Sequence, residues 1–300
     1  MAKIVIFGAG NCGRLIAKNL AGKGEEIVCF IDNDPLKANA SVTLMLNNGG
    51  GGGDNALSKP LKIHTSEILK TLNFDSVIVG TFTGFYEIRA QLESMGIPRH
   101  KIDVSHIELS VRSREAFLQD FAKEINAQNL AGSVAELGVY RGDFARRINE
   151  CFKDKTLYLF DTFEGFEDKD LTQSKDGKMG ANLGKKHFSN TSVELVLGKM
   201  PYPKQCVIKK GWFPQSSAGC ENERFCFVNL DADLYEPILA GLEFFYPKMV
   251  RGGVILIHEY FSAGYVGVKK AVSEFMHKFE LCDFQKLPIG DNLSIAIIKI

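Results

Sequence analysis

The sequence predicts an α/β protein made of two doubly wound units, a half-sized one followed by a seven-stranded one. Three observations carry this. Two segments, opening at Lys3 and at Ser133, each begin with an apolar strand, a glycine turn and an amphipathic helix. Strand and helix patterns then alternate with short links, which builds parallel sheets covered on both faces. The last strand follows a hairpin-like turn at 288–292, Pro-Ile-Gly-Asp-Asn.

In chain order, the first strand is Lys3–Phe7, followed by the turn Gly8-Ala9-Gly10-Asn11-Cys12-Gly13 and a helix to Leu20. The strand over 26–31 ends at Asp32. The stretch 39–60 holds five consecutive glycines, 49–53, and is expected to be a loop, because glycine has much entropy to lose and no side chain to bury. A helix over 65–72, a strand over 76–80, a helix over 85–95 and a strand over 101–104 complete a unit closing near His106. A linking helix is expected over 113–128 from Phe117, Phe121 and Ile125, spaced four apart. The resulting division is 1–106, a helical linker 107–132, and 133–300.

The second unit has expected strands at 133–137, 156–160, 205–210, 225–230, 253–257, 281–286 and 293–300. Val268, Ala271, Val272, Phe275, Met276 and Phe279 place a helix over 266–279. Segment 167–203 is polar and Gly-rich, and its length points to a lid.

Composition narrows the function. The chain has 300 residues, 45% apolar and 24% charged, which is enough for a substantial core. Lys+Arg and Asp+Glu are both 36, so no overall charge draws the chain to nucleic acid or to an anionic membrane. No apolar run is long enough to span a bilayer, and the N-terminus reads as a strand rather than a signal peptide. The seven cysteines are scattered, with no CxxC pair, and read as reduced thiols in a cytoplasmic protein.

Two glycine turns carry the chemistry. Gly8, Gly10 and Gly13, with Asp32 ending the next strand, form a phosphate-binding turn with an acid placed for a ribose hydroxyl. The same pattern also suits a scaffold that has lost its ligand. In the second unit, Glu136 ends a strand before Gly138, Tyr140 and Gly142, and Asp161-Thr162 ends the next. Acid, glycine loop and acid without a phosphate-binding lysine suit S-adenosylmethionine, which has a ribose but no phosphate; a plain strand–turn–helix joint is the alternative. Asp231 and Asp233 end the fourth strand, and His258 and Glu259 the fifth. In an open parallel sheet these ends meet in one crevice at the switch point. Carboxylates there are costly to bury unpaired, although Asp233 could simply cap a helix.

Taken together, Glu136 to Gly142, Asp161-Thr162-Phe163-Glu164-Gly165-Phe166, Lys210-Gly211-Trp212-Phe213-Pro214, Asp231-Ala232-Asp233-Leu234-Tyr235 and residues 264–275 resemble the macrocin O-methyltransferase (TylF-type) family. The resemblance covers residue 130 to the C-terminus. It implies a seven-stranded S-adenosylmethionine-dependent methyltransferase domain that methylates a sugar hydroxyl, commonly with magnesium. It further implies that Glu136, Gly138, Tyr140 and Gly142 cradle the methionine part and that Asp161, with Thr162, meets the ribose. Gly211, Trp212 and Phe213 would lie near the adenine, and Asp231 would bind metal. The family's usual two aspartates are His258 and Glu259 here. Glu259 is then expected as a second ligand for Mg²⁺ or Mn²⁺, and His258 as a general base or a ligand of a softer ion. Asp233 is the alternative proton acceptor.

The N-terminal unit resembles the half-Rossmann domain found ahead of several bacterial surface-sugar enzymes. With the glycine row, which a slipping guanine tract could encode, the combination resembles capsular heptose O-methyltransferases. The expected acceptor is therefore a nucleotide-activated sugar, GDP-heptose first, or a glycan precursor in capsule or surface-polysaccharide assembly. A homo-oligomer is expected. Competing classes are a nucleotide-sugar oxidoreductase using NAD(P) at Gly8–Gly13, for which no Tyr/Lys pair or Cys nucleophile is placed, and a non-catalytic nucleotide-sugar binding module.

Overall fold

The computed structural model describes residues 1–44, 60–82, 84–166, 176, 188–262, 264–278 and 284–300. The glycine row at 49–53 and, apart from residue 176, residues 167–187 of the lid expected over 167–203 lie outside them, and the described remainder carries a helix, Val193–Lys199. The chain divides into two compact units, Met1–Val111 and Arg112–Ile300.

The first unit runs β1 (Lys3–Phe7), α1 (Asn11–Gly22), β2 (Glu26–Ile31), β3 (Ser41–Val42), β4 (Leu61–His64), β5 (Ser76–Val79), α2 (Phe85–Ser94) and β6 (Ile102–Asp103). Its sheet order is β3-β4-β2-β1-β5-β6, parallel except for β3. Val5, Ile6 and Phe7 are all buried, as a strand covered on both faces requires. The helix expected over 65–72 is instead a 3₁₀ turn, Ser66–Lys70. Only Ser66 and Leu69 are buried there, three apart, which suits three residues per turn better than an α-helical stripe. Strands β3 and β4 were not expected from the sequence. Each buries a single side chain, Val42 or Ile63, which is too little for a period to show.

Helix α3 (Ser105–Ala127) starts well before residue 113. Asp103 accepts the Ser105 N–H at 2.9 Å and so starts it early. Ile107 belongs to the core of the first unit, and Leu118, Ala122 and Ile125 to the core of the second. The apolar stripe is therefore turned from the expected one: Phe117 and Phe121 flank it, partly buried, with ring centroids 5.4 Å apart.

The second unit contains β7 (Ser133–Leu137), α4 (Asp143–Cys151), β8 (Leu157–Asp161), α5 (Val193–Lys199), β9 (Cys206–Lys210), β10 (Phe225–Leu230), α6 (Tyr235–Phe245), β11 (Met249–Ile257), α7 (Val266–Lys278), β12 (Phe284–Pro288) and β13 (Ile295–Lys299). Its sheet order is β12-β13-β11-β10-β7-β8-β9, with β13 antiparallel to both neighbours. This is the expected seven-stranded doubly wound sheet, and the order reverses between β7 and β10. Every residue of β10 is buried. Asp291 closes the final hairpin by accepting the Leu293 and Ser294 N–H groups at 2.9 and 2.7 Å. No disulfide joins the described cysteines. Among the described residues, no helix is long and apolar enough to cross a membrane.

Candidate active site

Four strand ends build the site. β7 and β10 pair with Glu136 opposite Asn229, and β10 and β11 with Leu230 opposite Ile257. Hydrogen bonding continues past the strands. Asp231 N–H reaches Leu137 O at 2.8 Å, Gly138 N–H reaches Phe160 O at 2.9 Å, and His258 N–H reaches Leu230 O at 3.0 Å. This brings Glu136, Asp231 and His258 to one level at the carboxyl edge. Four non-glycine residues just beyond the strands adopt left-handed backbone: Tyr140, Phe163, Asp233 and Glu259, with φ of 47°, 56°, 60° and 59°. Such strain collects where surrounding structure over-determines a functional geometry.

The glycine loop is held by Asp161. Its Oδ2 accepts the Val139 and Tyr140 N–H groups at 2.7 and 2.8 Å, and its Oδ1 accepts the Phe163 N–H at 2.7 Å. The residue expected to meet a ribose therefore first shapes the loop, keeping one lone pair of Oδ1 for a ligand. Thr162 turns inward, its hydroxyl donating to Gly165 O and accepting from Glu164 N–H, both at 3.3 Å. At Gly138, with φ 88°, a Cβ would lie 2.2 Å from Asp231 O, so only glycine lets this loop approach the next strand end. Gly142 caps α4. The Tyr140 hydroxyl donates to Asn190 Oδ1 at 2.5 Å, and its ring meets Phe188 at 4.8 Å. Gly211 N–H bonds Asp161 O at 2.9 Å, which sets the Gly211–Trp212–Phe213 turn beside the loop. The Phe213 ring, expected near an adenine, is half-buried against the core: it stacks on Phe245 at 5.6 Å and meets Phe160 edge-on.

Glu136 is 1% exposed. Its Oε1 accepts from Asn229 Nδ2 at 2.8 Å, while Oε2 is buried with no hydrogen-bond partner. Burial, and next the Asp231 charge, push this carboxyl well above its ordinary range. An orphaned buried acceptor calls for a cationic donor.

Asp231 is differently placed. Its Oδ2 receives Arg114 Nη2 at 2.8 Å, and its Oδ1 lies 3.0 Å from His258 Nδ1. Burial raises its carboxyl, but the charges of His258 and Arg114 outweigh burial and hold it below the usual carboxylate range. Asp233 is pushed well above that range by burial and then by the charges of Asp231 and Glu259. Tyr265 is raised by burial and then by Asp233. His258 Nδ1 is 3.6 Å from Glu259 Oε1. Arg114 comes from α3, 117 residues before Asp231. The sequence reading missed it, though a charged residue four before Leu118 on a buried stripe was a usable signal.

The expected divalent ion on Asp231 and Glu259 does not fit this arrangement. Both Asp231 oxygens face cationic or imidazole nitrogen, and a permanent guanidinium charge lies where the ion would bind. Among the described residues, no three His, Cys, Asp or Glu side chains are grouped to hold one.

In the first unit, Asp32 Oδ2 accepts the Ala9 N–H at 2.9 Å and Lys37 Nζ at 3.0 Å, and its Oδ1 accepts the Asp34 N–H. A Cβ on Gly13 would lie 1.9 Å from Gly8 O, so this glycine serves the turn itself.

Residues 100–285 match the family model described as Macrocin-O-methyltransferase (TylF). The chain belongs to the macrocin O-methyltransferase family. This methyltransferase is 23% identical over 188 residues to demethyldecarbamoylnovobiocin O-methyltransferase of Streptomyces niveus, covering 60% of the chain and 71% of the relative. It is 25% identical over 181 residues to mycinamicin III 3''-O-methyltransferase of Micromonospora griseorubida, covering 55% and 68%. A tetracenomycin rhamnosyl 4'-O-methyltransferase of Streptomyces olivaceus is 23% identical over 206 residues, covering 65% and 77%. Among solved structures, the O-methyltransferase NovP superposes with a TM-score of 0.54 at 23% identity, covering 62% of this chain and 79% of that one. The calicheamicin methyltransferase CalS11 gives 0.52 at 14%, covering 84% and 99%. These structural likenesses show the shared fold.

Proposed function

We propose that this methyltransferase transfers the methyl group of S-adenosylmethionine to a hydroxyl of a nucleotide-activated sugar, with GDP-heptose as the first acceptor to test, in surface-polysaccharide assembly. The observation that carries the reading is the orphaned Glu136 Oε2 beneath a glycine loop, one strand from the Asp231–His258 pair. Glu136 would take the ammonium of the methionine part, as its missing partner demands. The loop from Gly138 to Gly142 would hold the methionine chain and Asp161 Oδ1 the ribose, with Gly211 and Trp212 on the adenine side. The relatives' names, which include a rhamnosyl O-methyltransferase, support a sugar acceptor. The glycine turn of the first unit supports a nucleotide-linked one.

The bound sulfonium supplies an already activated methyl group, so the chain's own work is alignment and proton removal. Asp231 faces His258 Nδ1 and would fix the ring, leaving Nε2 to take the proton of the acceptor hydroxyl. Asp233, whose carboxyl is pushed up by burial and then by the charges of Asp231 and Glu259, is the alternative proton acceptor. The test is to incubate the full chain with isotopically labelled S-adenosylmethionine and GDP-heptose, and to read the product by mass spectrometry. Labelled methyl on the sugar nucleotide supports the reading. Calorimetry that finds NAD binding and no S-adenosylhomocysteine binding would favour the oxidoreductase class instead.

A further inference from the structure

Arg114 stands on the stripe of α3 that continues through Leu118, Ala122 and Ile125 into the core. Its side chain is 12% exposed. Nη2 donates to Asp231 Oδ2 at 2.8 Å and to Asn229 Oδ1 at 3.0 Å. The guanidinium carbon lies 4.0 Å from the Phe144 ring centroid, which packs one face, and Nε is buried without a hydrogen-bond partner. The charge also acts on Glu136 and Asp233, drawing both carboxyls down against burial. Glu136, Asp231, Asp233 and Glu259 crowd one sheet edge, and such a cluster needs a nearby positive charge to persist. Arginine carries that charge at every working pH, and its planar fork fixes geometry as well.

We propose that Arg114 is the built-in cation of this site, holding on Asp231 the place a divalent ion would take and positioning Asp231 against His258. It is a positioning residue that acts through Asp231, and the proposal rests on the reading of this edge as the methyl-transfer site. One consequence separates it from a merely structural arginine. Removing the guanidinium would strip Asp231 Oδ2 of its cation and leave the mutually repelling carboxyls of Asp231, Asp233 and Glu259 without a fixed positive charge, which draws a hard divalent ion to Asp231 even though no three-ligand cage is preformed among the described residues.

The test is a Mn²⁺ titration of the full chain followed by electron paramagnetic resonance, which needs no acceptor and is independent of turnover. Wild type and Arg114→Lys should leave the free-ion signal nearly undiminished. Arg114→Met should sequester about one ion per chain with affinity on the order of tenfold or more above wild type, and adding Asp231→Asn should abolish the gain. Circular dichroism confirms folding. If Arg114→Met does not fold, Arg114→Gln, which keeps an amide donor without charge, takes its place with the same expectation. A wild-type chain that binds Mn²⁺ through Asp231 as well as the uncharged variant would overturn the proposal. So would a folded uncharged variant that gains nothing. Calorimetry with S-adenosylhomocysteine on the same samples reports on the cofactor reading separately.

Discussion

Replacing Asp161 by asparagine should loosen the glycine loop before it touches the sheet. The carboxylate accepts three backbone N–H groups, two at Oδ2 and one at Oδ1. An asparagine oriented to keep the two donors from Val139 and Tyr140 turns its NH₂ toward the Phe163 N–H. One charge-assisted bond is lost, at about 1.5–3 kcal/mol, and two become neutral, each weaker by about 1 kcal/mol. Solvent reaches this half-buried side chain and repairs part of the loss, so a net cost of about 2–4 kcal/mol is expected. Tyr140 and Phe163 sit at positive φ without being glycine, each a strain of about 1–2 kcal/mol that these bonds restrain. The single tryptophan, Trp212, follows Gly211, whose N–H bonds the Asp161 carbonyl, so its fluorescence reports this corner. Urea unfolding read by Trp212 should show a lower midpoint for Asp161→Asn, together with weaker S-adenosylhomocysteine binding by calorimetry. An unchanged midpoint and emission with only the binding lost would refute the loop-holding role and leave Asp161 as a ribose contact alone.

Other outcomes follow from the same geometry. Glu136→Gln should stabilise the ligand-free chain at neutral pH, because the native carboxyl is raised and its charged form is penalised; the advantage should close as pH falls toward the unfolded value of about 4.3. The same variant should bind S-adenosylmethionine roughly 10- to 150-fold more weakly, the equivalent of about 1.5–3 kcal/mol. Asp231 shows the opposite sign: its carboxyl is depressed, so its ion pair with Arg114 should remain intact down to about pH 4 and weaken only below it, which thermal melts of wild type and Asp231→Asn across pH can compare. Gly138→Ala should cost at least about 3 kcal/mol by urea unfolding, since it adds left-handed strain to a Cβ overlap with backbone. Phe213→Ala should lower the urea midpoint by the equivalent of about 2–4 kcal/mol, because the ring packs on Phe160, Phe244 and Phe245.

The second sheet was legible because its strands are buried on both faces and punctuated by acids and glycines at their carboxyl ends. Asp231, His258 and Glu259 could be placed together from sequence alone, since parallel order aligns those ends. Local pattern marked Arg114 at most as a charge in line with the buried stripe of α3; that it meets Asp231 depends on how the stripe packs on the sheet. Local pattern could not show that Asp161 directs its oxygens inward, since a carboxylate serves a loop and a ribose by the same lone pairs. Nor could it show that the Phe213 ring packs on Phe245 of α6, a partner from a distant segment. The stripe of α3 was misread by one position because phenylalanines at 117 and 121 outweigh an alanine at 122 in any hydrophobic count, although Ala122 is the more buried.

The unbroken course of α3 bears on how this protein can be taken apart. A fragment that begins at Arg112 would start inside a helix, without the Asp103 carboxylate at its head and with fresh N–H groups exposed to water. Arg114 would then lie in a fraying first turn, and the guanidinium on Asp231 would loosen although every strand of the catalytic sheet was present. Severing the chain about two and a half turns upstream, before Asp103, keeps the helix start intact but divides β6. Recombination that exchanges the front unit of such a methyltransferase for another should therefore carry α3 whole, because the carboxyl edge of the second sheet borrows the Arg114 guanidinium from the helix that leads into it.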